Sequence, residues 1–287
     1  MKFQLFRTEK LLSRNLQSDV YPIFKNHQLP RKDYQKLCQL AEELEVEIAA
    51  SVFDLETLAW YLNETSPPFI KIASGDITFK RLLQAAGTSQ KPVVLSTAAA
   101  KKEEIRRAID WLGEKKDLHL LHCTPSYPTA EKNINLQRML HLREEFKLPV
   151  GFSDHSTGEE PPLRAAAAGA RIWERHVTLD QEMDGPEHSF SMPVERLEKT
   201  IDRLKSSPKQ PPAVEGPGLP GTNLDENYRQ NARRSLFAGQ KIRSGEKLSE
   251  DNLRELRPDL GISAAEIDQM DGRTATRSFN RGELIQL

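Results

Sequence analysis

Short, almost wholly apolar runs alternate along this chain with longer segments whose apolar residues recur at three- and four-residue steps, and that alternation leaves few folds open. The runs are KFQLF (2–6), EIAASVF (47–53), FIKIAS (69–74), PVVLS (92–96), LHLLHC (118–123), PVGFS (149–153) and ARIWERH (170–176). Between them, DYQKLCQLAEELEV (33–46), LETLAWYL (55–62), KKEEIRRAIDWL (101–112) and NLQRMLHLREEF (135–146) carry the period of a helix with one buried face. Strands apolar on both faces, alternating with amphipathic helices, imply a parallel sheet covered by helices. An open doubly wound sheet and a closed (β/α)8 barrel both meet that description. No GxGxxG follows the first run, so the dinucleotide-binding version lacks its signature. Polar residues stand just beyond run after run: Ser74 and Asp76, Ser96 and Thr97, His122 and Thr124, Ser153 and His155, His176. In a barrel those strand ends share one face, where active sites sit. The expectation is therefore an α/β chain of the TIM-barrel type. Seven runs are present where such a barrel needs eight, which predicts a (β/α)8 barrel lacking its first βα unit, with edges on KFQLF and ARIWERH.

The character changes near residue 206. SSPKQPPAVEGPGLPG (206–221) holds five prolines and three glycines, a composition suited to an extended tether. This predicts an incomplete barrel over 1–205, a Pro/Gly-rich linker over 206–224 and a small α+β module over 225–287. The module contains a repeat: Ala238-Gly-Gln-Lys-Ile-Arg-Ser-Gly245-Glu246-Lys-Leu248 returns as Ala275-Thr-Arg-Ser-Phe-Asn-Arg-Gly282-Glu283-Leu-Ile285. Each Gly-Glu reads as a turn between strands. Asp251-Asn252 and Ser263-Ala-Ala-Glu266 read as short helix starts, the second with capping-box spacing.

Charge excludes some functions. Lys and Arg total 41 against 42 Asp and Glu, a net charge of −1, so no general electrostatic grip on nucleic acid or an anionic membrane is expected. No apolar run reaches the ~18 residues of a membrane span, and the opening MKFQLFRTEKLLSRN lacks the apolar stretch of a secretory signal. Cys38 and Cys123 are too few for a disulfide framework. These features together predict a soluble, reduced, cytoplasmic protein.

Among the seven histidines, His155 and His176 stand apart, each following a predicted strand one βα unit from the other. Neighbouring strand ends in a barrel can bring two imidazoles together, an arrangement suited to a divalent first-row metal. Strand-end histidines also bind phosphate or cap hydrogen-bond networks, and spacing does not choose among these. Lys71, Ser74, Ser96, Thr97 and Ser153 could cradle an anion, with Gly75 allowing close backbone approach. Cys123 reads as a small buried hydrophobe rather than a nucleophile.

The motifs KFQ, KIASGD, KPVVLST, HCTPSYPT, VGFSDHS, ERHVTLD and MDGPEHSFS occur in an order that resembles the sialic acid synthase family, and RRSLFAGQKIRSGEKLSEDNLRELRP resembles that family's antifreeze-like (SAF) domain. The resemblance implies condensation of phosphoenolpyruvate with an N-acetylated aldose, N-acetylmannosamine or a relative, to a nine-carbon nonulosonic acid of the kind found in cell-surface polysaccharides, with release of phosphate. It implies a homodimer whose SAF domains reach the partner's barrel. By motif, His155 and His176 match ligands of a divalent metal, usually Mn2+, with Mg2+ the alternative. Lys2, Lys71, Ser74 and Ser153 match positions that hold phosphoenolpyruvate, and Ser51 a substrate-binding position. Gln4, Tyr127 and Glu187 match sugar-binding positions, Asp76 a catalytic carboxylate, and Arg257 an arginine that reaches the acetamido group from the partner chain.

The chain also departs from the pattern. Asp76 stands where the family usually has glutamate and Glu187 where it has aspartate, each a shift of one methylene. Pro125 replaces a donor after HCT, and the family's opening strand with its glutamate has no counterpart. These departures favour an alternative: a catalytically impaired member that acts as a binding or assembly subunit.

Overall fold

The computed structural model describes residues 1–206 and 223–286. The linker expected at 206–224 falls mainly on residues outside that range. Its ends do not: Ser206 closes the helix Val194–Ser206 and Asn223 opens the helix Asn223–Ala232, so the two flanking helices extend into it from either side.

Seven strands follow one another in a single sheet, ordered as they occur in the chain: β1 (Lys2–Leu5), β2 (Ala49–Val52), β3 (Ile70–Ile72), β4 (Val93–Ser96), β5 (Leu118–Cys123), β6 (Val150–Asp154) and β7 (Trp173–Arg175). Each lies within one of the apolar runs, except that β6 runs one residue further, to Asp154. Register-paired neighbours are parallel, and helices occupy most connections, the βα succession of a TIM-type chain with seven strands. The last run is shorter than expected, because pairing with β6 ends at Arg175 and leaves His176 beyond the strand. Beyond it, β8 (Val177–Thr178) and β9 (Met192–Pro193) form a small parallel pair that the apolar pattern does not reveal. No helix among the described residues is long and apolar enough to cross a membrane.

The chain divides into two compact units. The first combines Met1–Val93, Lys102–Asp117 and Asn227–Leu287. Its strands are covered by the helices Arg31–Glu43, Leu55–Glu64, Lys80–Thr88 and Lys102–Leu112. Tyr34, fully buried, is the anchor of one side: its ring meets Phe3, Trp60 and Tyr61 at centroid distances of 6.2, 6.0 and 6.1 Å. Because Phe3 faces these helices, Lys2 and Gln4 point to the opposite face of β1. Helix Leu55–Glu64 starts where Asp54 caps it, accepting from Thr57 N (2.9 Å) and Thr57 Oγ1 (2.8 Å).

The module after residue 227 belongs to this same unit. β10 (Ser235–Ala238) and β11 (Leu253–Leu256) pair antiparallel over a core that includes Leu236, Ile242, Leu253 and Phe279. The internal repeat forms the same turn twice. Gly245 and Gly282 adopt φ of +85° and +80°, a conformation that favours glycine. Glu246 Oε2 accepts from Arg243 N at 2.9 Å, as Glu283 Oε2 does from Asn280 N at 2.8 Å. Ser263 caps a 3-10 turn leading into the helix Ile267–Met270. Asp251-Asn252, in contrast, starts no helix. Asn252 accepts from Ser249 N with its side chain, and the chain enters β11 directly.

The second unit spans Val94–Lys101 and Leu118–Glu226. β5 to β7 are joined through the helices Gln137–Phe146 and Glu160–Ala167. Gly151 in β6 has no room for a side chain, since a Cβ there would lie 2.6 Å from the Ile172 carbonyl oxygen. His122, at the end of β5, stacks on Phe152 at 5.9 Å.

Candidate active site

In the second unit, β6 and the end of β7 bring His155 and His176 together. Their ring centroids are 5.6 Å apart at an interplanar angle of 60°. His155 is 7% exposed, and its Nδ1 lies 2.9 Å from the Thr124 carbonyl oxygen. A carbonyl only accepts, so Nδ1 carries the proton and Nε2 keeps its lone pair. His176 is arranged alike, with Nδ1 3.0 Å from Glu187 Oε2. Burial holds the His155 imidazole down to about 4, which keeps it neutral, the form that binds metals. Two rings, each with Nδ1 fixed by an oxygen, match the usual support of metal-bound histidines. No cluster of three His, Cys, Asp or Glu side chains suited to a metal occurs among the described residues. The two imidazoles alone would supply two positions of a divalent cation's coordination shell, the rest falling to water or substrate.

Aromatic rings wall this pair. The Tyr127 ring lies over His155 at a centroid distance of 4.0 Å, tilted by 31°, and Phe190 lies 5.7 Å from His176 and 5.9 Å from Tyr127. Tyr127 is 46% exposed. Ser153, expected to hold phosphoenolpyruvate, donates to Glu174 Oε1 at 2.7 Å. Glu174 was not among the sequence candidates, although it sits two residues before His176, on the same face by strand alternation. Glu187, matched to sugar binding, places its Oε2 beside Nδ1 of His176. Asp154 accepts from Ser156 N (2.9 Å) and Ser156 Oγ (2.7 Å), and pairs with Arg175 at 2.6 Å, fixing the turn that carries His155.

The first unit holds the other candidates. Register pairs Gln4 with Ser51 and Ser51 with Lys71, placing the three in one row across β1, β2 and β3. Lys2 Nζ donates to Ser51 Oγ at 3.1 Å. Lys71 is 2% exposed and donates to the Ile72 carbonyl at 2.9 Å. Buried Lys71 and Ser51, with half-buried Lys2 beside them, are suited to an anion with more than one charged group. Ser74 opens the 3-10 turn Ser74–Asp76.

Asp76, matched to a catalytic carboxylate, is buried beside two arginines. Its Oδ1 accepts from Arg234 Nε at 2.6 Å, and its Oδ2 lies 3.8 Å from Arg257 Nη2. Both Asp76 and Arg234 are fully buried, so the carboxylate is committed to an ion pair rather than exposed as an acid or base. Gly75 changes meaning with it. A Cβ at this position would lie 2.5 Å from the Ala232 carbonyl oxygen and 3.0 Å from Arg257 Nη2. The backbone that approaches Gly75 is thus the chain's own, not a ligand. Arg257 is itself held by its main chain, donating to Leu11 O (2.9 Å) and accepting from Ser13 N (2.8 Å), and its guanidinium lies 5.7 Å from the Phe53 ring. These contacts are made within one chain. Arg234 was not among the sequence candidates; the doublet Arg233-Arg234 before the apolar SLFA was the available signal. Cys123 is 4% exposed, in keeping with a packing role.

Comparison with known proteins shows the family. Residues 1–210 match the NeuB family and residues 233–287 the SAF domain. The chain is similar to the N,N'-diacetyllegionaminic acid synthase of Campylobacter jejuni, 32% identical over 303 residues that cover 100% of this chain and 89% of the relative. It is 29% identical to the pseudaminic acid synthase of the same organism, over 93% of this chain and 77% of the relative. Among solved structures, N-acetylneuraminic acid synthetase from Leptospira borgpetersenii, in complex with citrate, gives a TM-score of 0.68 at 30% identity, covering 79% of this chain and 78% of that one. Spore coat polysaccharide biosynthesis protein SpsE from Bacillus subtilis gives 0.83 at 24% identity, over 99% of this chain and 84% of that one, a likeness of fold. The chain is a member of the NeuB family of nonulosonic acid synthases, with a SAF domain over residues 233–287.

Proposed function

We propose that this chain condenses phosphoenolpyruvate with the open-chain form of an N-acetylated aldose, N-acetylmannosamine or a relative, to give a nonulosonic acid and inorganic phosphate. The observation that carries the reading is the pair His155 and His176, each with Nδ1–H fixed by an oxygen, so that each ring keeps Nε2 as a ligand atom. A divalent cation held there, Mn2+ or Mg2+, would supply Lewis-acid polarisation of the sugar's aldehyde oxygen. Lys2, Lys71, Ser74 and Ser153 bind the carboxylate and phosphate of phosphoenolpyruvate, whose charges need donors of this kind. Carbon 3 of phosphoenolpyruvate forms the new bond to the aldehyde carbon, water adds to carbon 2, and the tetrahedral adduct breaks its C–O bond to phosphate, leaving the 2-keto acid. Tyr127, Gln4 and Ser51 line the acceptor, and Arg257 contacts its acetamido group. Ser153, whose hydroxyl donates to Glu174 Oε1 at 2.7 Å, would turn that one donor to the anion on binding.

The assembly proposed is a homodimer in which the SAF domain of one chain seats on the strands of the other. Exchange would use the same surfaces as the contacts seen within the single chain. A second reading, a binding or assembly subunit of low turnover, is favoured by one observation: Asp76 is buried against Arg234 and so is poorly placed to carry protons.

Incubation with phosphoenolpyruvate, Mn2+ and either N-acetylmannosamine or a 2,4-diacetamido sugar tests the synthase reading. Phosphate release that requires the acceptor, with a nine-carbon acid found by mass spectrometry, supports it. No acceptor-dependent phosphate with any of these sugars would leave the second reading.

A further inference from the structure

Arg234 is fully buried and unusually well tied. Besides Asp76, it donates from Nη1 to the carbonyls of Lys10 (2.9 Å) and Glu255 (2.8 Å) and from Nη2 to that of Phe53 (2.6 Å). Its guanidinium lies 4.5 Å from the Phe79 ring. Four of the five N–H groups of the side chain are therefore engaged. Asp76 offers its two oxygens unequally. Oδ1 is hydrogen-bonded to Arg234, while Oδ2 has no hydrogen bond and faces Arg257 Nη2 at 3.8 Å. That gap is within ion-pair reach and beyond a hydrogen bond. Arg257 is pinned through its main chain to Leu11 and Ser13, so only its side chain can respond.

A buried carboxylate that loses its cation is strongly destabilised. Were Arg234 neutral, the nearest relief for Asp76 would be closure of the 3.8 Å gap into a direct, two-bond pair with Arg257. We propose that Arg234 is a positioning residue: by neutralising Asp76 it prevents that closure and keeps the Arg257 guanidinium turned toward the acceptor sugar. Asp76 then orients Arg257 at a distance and handles no proton. The acceptor part of this inference rests on the proposed synthase reaction; the ion-pair rearrangement does not.

The test uses the full chain and three variants: Arg234→Met, Arg234→Lys, and Arg234→Met combined with Asp76→Asn. In the crystal structure of Arg234→Met, Arg257 should close to about 3 Å from Asp76. In steady-state assays its KM for N-acetylmannosamine should rise about tenfold or more, with KM for phosphoenolpyruvate within twofold. Arg234→Lys keeps the charge but not the fork, so it should retain the wild-type sugar KM within about threefold even though its melting temperature falls. The double variant, with no carboxylate to draw Arg257 in, should recover the sugar KM as well. If Arg234→Met does not fold, the other two decide, and a tenfold rise in sugar KM in either overturns the proposal. So does an Arg257 that stays at 3.5 Å or more from Asp76 in Arg234→Met. A wild-type chain with no turnover refutes the synthase reaction alone, because the crystal structure still decides the rearrangement.

Discussion

Glu187 Oε2 lies 3.0 Å from Nδ1 of His176, so a carboxylate matched by motif to sugar binding orients a candidate metal ligand. Its removal leaves His176 with less control over tautomer and ring angle. Glu187→Ala should weaken Mn2+ binding by about 10- to 100-fold, the usual effect of losing such a partner, and Glu187→Gln, which retains an acceptor oxygen, by less. Titration of Mn2+ followed by electron paramagnetic resonance measures both; equal affinity in wild type and Glu187→Ala would show that the contact does no orienting.

His122 predicts a pH dependence of stability. It is 1% exposed, and its Nε2 lies 2.7 Å from the Ile134 carbonyl oxygen. Burial holds the ring down to about 4, against 6.5 for an ordinary histidine. The unfolded chain therefore takes up the proton first as pH falls. The stabilisation is complete above about pH 6.5, is lost between there and about pH 4, and changes no further below that. Urea unfolding at pH 7 and pH 5 should show wild type losing about 2 kcal/mol more than His122→Gln. An equal loss in the two would assign the acid sensitivity to other groups, such as His155, which is shifted in the same direction.

How much of this was legible in the sequence depended on whether the cause was local. The seven strands coincide with the seven apolar runs to within a residue because burial on both faces writes itself directly into composition. The repeat in the SAF domain was legible for a similar reason: Gly245 and Gly282 mark the turn, and Glu246 and Glu283 complete it, all within four residues. The convergence of His155 and His176 followed from consecutive strand ends. The setting of Asp76 did not, because its partner Arg234 is 158 residues away and no periodicity connects them. Gly75 was read as room for a ligand for the same reason; the absence of a side chain is visible, but what fills the space is not. Asp251-Asn252 has the residues of a helix cap, yet the pull of β11 pairing with β10 overrides that local preference.

Gly75→Ala should loosen the SAF domain from the strands of its own unit. The added methyl would lie 2.5 Å from the Ala232 carbonyl oxygen, and that neighbour is backbone, with little room to yield. A loss of about 1–3 kcal/mol is expected, the usual effect of overpacking, read as a lower melting temperature. Unchanged melting would show that the contact at Gly75 is slack.

The exchanged dimer makes a separate prediction. A chain carrying Arg257→Ala, mixed with one carrying His155→Ala and His176→Ala, should regain acceptor-dependent phosphate release, since one of the two mixed arrangements restores both sets of residues. No recovery after unfolding and refolding the mixture together would assign Arg257 to the Asp76 of its own chain.

The central claim is that His155 and His176 hold one divalent cation on which the condensation depends. Mn2+ titration by electron paramagnetic resonance, on wild type and on His155→Ala and His176→Ala, tests it most directly. The account predicts one Mn2+ per wild-type chain, affinity weakened on the order of 100-fold or more in each variant, and loss of turnover in wild type stripped with a chelator. Mn2+ bound equally well without either imidazole, or full turnover in the presence of the chelator, would contradict it.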